Sequence, residues 1–116
     1  MSARARRFTS LQLAKRFEKS FKRLGSDAQA QCEDALEQLL QNPVPPGLHL
    51  KPIRPNNKFW EARLNSGDRI VLLPDGDAAW VMDVISHDEI RLWGRRKQSV
   101  AGPTAGGRRH LRQTVT

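Results

Sequence analysis

From position 59 to 73, apolar and polar residues alternate in two short runs, Trp60 to Leu64 and Asp68 to Leu72, with Asn65-Ser66-Gly67 between them. A period of two marks strands with one buried face, and a three-residue polar link containing glycine joins such strands as a hairpin. With Asn65 and Ser66 in a type I turn and Gly67 in the left-handed conformation, Leu64 pairs with Asp68, Ala62 with Ile70 and Arg63 with Arg69. Trp60, Ala62, Leu64, Ile70 and Leu72 then share one apolar face, while Glu61, Arg63, Arg69 and Val71 share the other.

Upstream the period lengthens. Ala14, Phe17, Phe21 and Leu24 recur at helical spacing, with Lys15, Arg16, Lys19, Lys22 and Arg23 opposite them. This predicts a helix that begins at a Thr9 or Ser10 cap, ends near Leu24 and stops at Gly25. Ser26 followed by Gln29 reads as a capping box for a second helix, whose stripe is Ala28, Cys32, Ala35, Leu36, Leu39 and Leu40 and which Asn42-Pro43 ends. Residues 4–8 allow a brief edge strand, 48–53 a short strand, and 54–57 and 74–77 turns. The most apolar stretch, 78–86, is expected at the centre of the sheet. Asp88 is a cap for a short helix through Glu89, Ile90 and Trp93 towards Lys97. The layout is α+β: an N-terminal helical hairpin packed on an antiparallel sheet of about four strands, then a short C-terminal helix. Residues 1–97 form one domain. Residues 98–116, rich in glycine and arginine, read as a flexible basic tail.

The 116 residues suit a single modest core. No run is apolar enough to span a membrane, and the basic start lacks the apolar stretch of a secretory signal. One cysteine, Cys32, allows no internal disulfide and fits a reducing compartment. The net charge of +8 is unevenly spread: residues 1–25 carry a surplus of +7 and 93–116 of +6, while 26–92 carry −5. Such ends suit nucleic acid or a ribosome; they equally suit an acidic protein, or simple solvation.

Arg63 directly opposite Arg69 is a repulsive pair that a sheet does not need. The third party is either a carboxylate of the chain, Glu61 or Asp68, or a phosphate, which a planar guanidinium grips well. His87 closes the last strand, where an imidazole could move a proton near neutral pH or be a plain surface histidine. Glu61 is either a second candidate base or a charge balance for Arg63. Trp60, Trp80 and Trp93 read as core or core edge.

The hairpin of Phe59-Trp60-Glu61-Ala62-Arg63-Leu64 and Arg69-Ile70-Val71 resembles the paired-arginine hairpin of the RelE/ParE toxin superfamily. Asn42-Pro43, Pro46-Gly47-Leu48, Ser86-His87-Asp88-Glu89 and Arg91-Leu92-Trp93 are similar to the same superfamily, so the resemblance spans roughly 8–97. It implies a compact cytoplasmic toxin silenced by a cognate antitoxin, with the ribosome and mRNA as further partners and neither membrane, metal nor cofactor. In a RelE-like member, mRNA is cut on the ribosome, and the resemblance implies Arg69, His87 and Arg63 as catalytic groups. Lys51, Arg54, Lys58 and Arg91 are then RNA-binding. A ParE-like member keeps the fold and poisons DNA gyrase. A non-catalytic basic module that binds RNA or the ribosome is the third reading. The chain departs from many RelE-like nucleases in having no tyrosine; Arg91 stands where they place one.

Overall fold

The structure, a computed structural model, describes residues 8–95 together with the backbone of 110–112. A six-stranded mixed sheet runs in the order β2-β3-β4-β5-β1-β6, built from β1 (Ser10–Leu13), β2 (Lys51–Pro52), β3 (Trp60–Arg63), β4 (Asp68–Asp75), β5 (Ala78–Ser86) and β6 (His110–Arg112). Three helices accompany it among the described residues: α1 (Lys15–Arg23), α2 (Ser26–Leu39) and α3 (Ile90–Gly94).

The β3–β4 register is the one the alternation implies, with Ala62 opposite Ile70 and Arg63 opposite Arg69. Its turn is closed differently. Gly67 does not take a positive φ; the Asn65 Oδ1 accepts the N–H groups of Gly67 and Asp68 at 2.9 and 2.8 Å. An Asx-type turn therefore does what a left-handed glycine was expected to do. At the next turn, between β4 and β5, Gly76 does carry a positive φ of 64°, the backbone a two-residue hairpin link demands.

The first predicted helix begins as a strand. Leu11 and Leu13 are buried between the partly exposed Ser10 and Gln12, and β1 lies parallel to β5, Ser10 opposite Ala78 and Leu13 opposite Val81. A four-residue alternation directly before a helical stretch is too short to stand out from it. The Ala14 N–H donates to Val81 O at 3.0 Å, and the chain then turns into α1 along the remaining edge of β5, with Ala14 rather than Thr9 or Ser10 as its N-cap. The Ser26 capping box is also absent. Gly25 is the N-cap of α2, and the Gln29 side-chain amide instead donates to Phe21 O at 3.0 Å, tying the two helices together.

The expected strand 48–53 shrinks to Lys51–Pro52, because Pro46–Leu48 wind into a 3-10 turn and His49 follows at φ 49°. At the C-terminal side Ser86, not Asp88, is the N-cap: the Glu89 carboxylate accepts the Ser86 N–H at 3.4 Å, and a 3-10 turn leads into α3. That helix ends at Gly94 rather than near Lys97. A Cβ at Gly94 would run into the Arg54 carbonyl, so glycine sets how closely this helix approaches the 53–59 loop. Of the tail expected over 98–116, only 110–112 are among the described residues. They pair antiparallel with β1 as a strand, and the rest lies outside the described residues, as does most of the 4–8 edge strand.

Both faces of the sheet are covered. On one, Leu11, Leu13, Ala62, Ile70, Leu72, Val81 and Val84 pack against Phe17 of α1 and Cys32, Leu36 and Leu39 of α2. On the other, Val71 and Met82 pack under Ile53, Phe59 and Trp93, the last two edge to face with centroids 4.8 Å apart. Burial pushes the Cys32 thiol up to about 12, with the nearby Glu33 carboxylate adding to the effect. The thiol is therefore expected to stay protonated and unreactive to a disulfide reagent at pH 8, and to react at once in guanidinium. Because its folded value is raised, its contribution to stability is complete below the ordinary thiol value near 9 and is lost as the pH climbs from 9 towards 12.

Candidate functional site

Polar side chains gather where the β3–β4 turn meets the end of β5. The turn is tied to α2 by Asn65 Nδ2, which donates to Gln31 Oε1 at 3.0 Å, and to the end of β5 by the His87 N–H, which donates to Gly67 O at 2.8 Å. Arg69 lies beneath it. Its Nη1 donates to the carbonyls of Asn65 and Asp68 at 2.8 and 2.9 Å, and its Nε stands 3.7 Å from Glu61 Oε1. These side chains are only 15% and 11% exposed. Glu61 is therefore one third party that the paired arginines required, and the described contacts leave Arg69 Nη2 without a protein partner.

Arg63, directly across from Arg69, is exposed and borders a groove of about 290 Å³ with Gln31, Asp34 and Gln38 of α2. No ion pair holds it among the described residues. His87 is 62% exposed, with Nδ1 a loose 3.9 Å from a fully solvated Asp88 carboxylate. Arg91 follows one helical turn later and is exposed. Lys51 pairs with Glu61 across β2 and β3, which puts it on the row next to Arg69. Arg54 and Lys58 do not join this group. They sit at the opposite end of β3, about 15 Å of strand from Arg63, where the Lys58 N–H donates to Asn56 Oδ1.

A second cluster went unnoticed in the sequence. Asp83 is buried, yet its carboxylate accepts Arg16 Nε at 3.0 Å, Ser20 Oγ at 2.6 Å and the Val84 N–H at 2.8 Å. The Arg16 guanidinium also lies 5.3 Å over the Trp93 ring. A bulge produces this arrangement. Val71 pairs with Asp83 but Leu72 pairs with Val81, so Met82 is the extra residue, and Asp83 lands on the Glu61–Val71 row. The available signal was one carboxylate inside a nine-residue apolar strand, since a buried charge needs a partner.

Among the described residues no group of three or more His, Cys, Asp and Glu side chains could hold a metal ion, and no helix is long and apolar enough to cross a membrane. No known protein-family pattern and no curated protein matches the sequence. Solved structures do match in shape. The antitoxin–toxin complex RelB–RelE from Methanococcus jannaschii superposes with a TM-score of 0.53 at 17% identity, over 74% of this chain and 99% of that one. The chain has the RelE-like toxin fold. A conserved hypothetical protein from Helicobacter pylori matches at TM-score 0.52 and 24% identity, over 70% of this chain and 97% of its own. The toxin–antitoxin complex RelBE2 from Mycobacterium tuberculosis matches at 0.52 and 14%, over 69% and 92%. Within the RelE-like fold of this chain, the Arg69 turn and the Asp83 clasp are both on the sheet face that α3 partly covers.

Proposed function

We propose that this chain is the toxin of a toxin–antitoxin pair that stops translation by cutting mRNA on the ribosome without a metal. Its partners are then a cognate antitoxin, the ribosome and mRNA, and its place is the cytoplasm. The observation that carries this reading is the conjunction of Arg69, Arg63 and His87 at one end of a RelE-like sheet. Cleavage through the RNA's own 2′-hydroxyl forms a bond from O2′ to phosphorus and breaks the bond to O5′. The 2′-hydroxyl proton must be taken up, O5′ must gain one, and the phosphorane charge must be met by cations. In this reading Arg69 Nη2 and Arg63 meet the charge, and the exposed His87 imidazole moves a proton. Lys51 and Arg91 flank them as RNA contacts; Arg54 and Lys58 serve as more distant ones.

A gyrase-poisoning, ParE-like action is the second reading. It is favoured by the commitment of Arg69 to Glu61 and two carbonyls, and by the absence of tyrosine. A non-catalytic RNA- or ribosome-binding module would share these features.

Induced expression is expected to halt protein synthesis within minutes, before DNA synthesis declines. The mRNA fragments should end in 2′,3′-cyclic phosphate and 5′-hydroxyl groups, and His87→Ala should slow their formation by about a hundredfold. An early stop in DNA synthesis with intact mRNA would select the gyrase reading, and arrest of translation with intact mRNA the binding module.

A further inference from the structure

A groove of about 370 Å³ runs between α1 and α3, over the last residues of β5. Arg16, Lys19 and Arg23 line it from α1, Asp83 and Ile85 from the sheet, and Leu92 from α3. Three cations at positions 16, 19 and 23 lie on one side of a helix, about 4.5 and 6 Å apart along its axis. The pattern of charges along α1 does not single these three out, since Lys15 and Lys22 are as basic; the fold does, because Lys22 borders a separate apolar groove with Phe17 and Phe21.

We propose that this groove is a subsite for the phosphates of single-stranded RNA next to the bond that is cut. It rests on the reading above for the cut itself. Four observations favour it. Arg16 is fixed before any ligand arrives: Nε is held by Asp83 and the guanidinium face by Trp93, which leaves the Nη edge of a side chain still 57% exposed. The groove carries three cations, Arg16, Lys19 and Arg23, against two carboxylates, Asp83 and Glu89, and Asp83 engages Arg16 through Nε alone, so a net positive charge remains and the Nη edge is left for an anion. Leu92, 57% exposed, gives a base an apolar surface beside the cations. Finally, Ile85 pairs with Arg69, so the groove begins one strand away from the candidate site and a strand of RNA can pass from one to the other. Asp83 is a positioning residue here, since it acts on the ligand only through Arg16.

The test is fluorescence anisotropy with a labelled ten-nucleotide 2′-O-methyl oligouridylate, which cannot be cut, against the full chain. Replacing Arg16, Lys19 and Arg23 together by glutamine should flatten the slope of log affinity against log salt by about 2, the value for three phosphates on a single strand. Arg16→Lys keeps the charge but loses the fork and the stacking, and should weaken binding about tenfold. Asp83→Asn is the sharpest variant. It raises the net charge by one, so charge alone would tighten binding, whereas loss of the clasp should weaken it; a thermal melt confirms that the variant is folded. Wild-type affinity in both Arg16→Lys and a folded Asp83→Asn would overturn the proposal. So would a groove that binds an acidic peptide but leaves the oligonucleotide's salt slope unchanged in the triple variant. Because the probe is uncleavable, loss of this subsite and loss of the cutting activity are separate results.

Discussion

Arg69→Ala should reduce mRNA cleavage by about a hundredfold or more, the usual loss when one preorganised charge stabiliser is removed. The same change should also lower stability by about 1–3 kcal/mol, because in a largely buried place the Glu61 carboxylate loses its cation and the Asn65 carbonyl its side-chain donor, while the Asp68 carbonyl keeps the Leu64 N–H. The two effects are separable. Adding Glu61→Gln to Arg69→Ala removes the uncompensated charge, so it should restore part of the stability and none of the cleavage. Urea titrations and a ribosome-based cleavage assay on the single and double variants measure each part. A double variant that regains both would make Arg69 a structural arginine, with Glu61 as its whole purpose.

The largest stability effect is expected at Phe17. It is fully buried at the junction of α1, α2 and the sheet, with Phe21 at 5.8 Å between ring centroids. Phe17→Ala should cost about 3–5 kcal/mol, a large share of the total for a domain of this size. Chemical denaturation with two probes measures it. Because α1 carries Arg16 and Ser20 to Asp83, loosening its seat should also release the Asp83 clasp, and the buried carboxylate should add to the loss. A cost under about 1 kcal/mol would mean that α1 is not seated by this ring.

Hairpin register was legible in the sequence because period-two alternation and loop length leave one solution that buries Ala62, Ile70 and Leu72 together. The same logic found the buried stripe of α2 and set Arg63 against Arg69. Local capping was less legible. Asn65, Gly25 and Ser86 took roles assigned to Gly67, Ser26 and Asp88, since several short polar residues stood within reach of each turn and the competition among them is settled by the surrounding packing.

By itself, then, the sequence determined the α+β class, the β3–β4 pairing and the polar row that carries Glu61, Arg63 and Arg69, because each follows from periodicity over neighbouring residues. The tertiary structure alone decided that Ser10–Leu13 is a strand, since its reason lies 68 residues away in β5. It alone decided that Arg69 turns inward to Glu61 and the turn carbonyls, and that Arg54 and Lys58 stand apart from His87. It also produced the Asp83 clasp: a bulge at Met82 re-aims one carboxylate across the sheet, and no local pattern encodes where the Arg16 that meets it will come from.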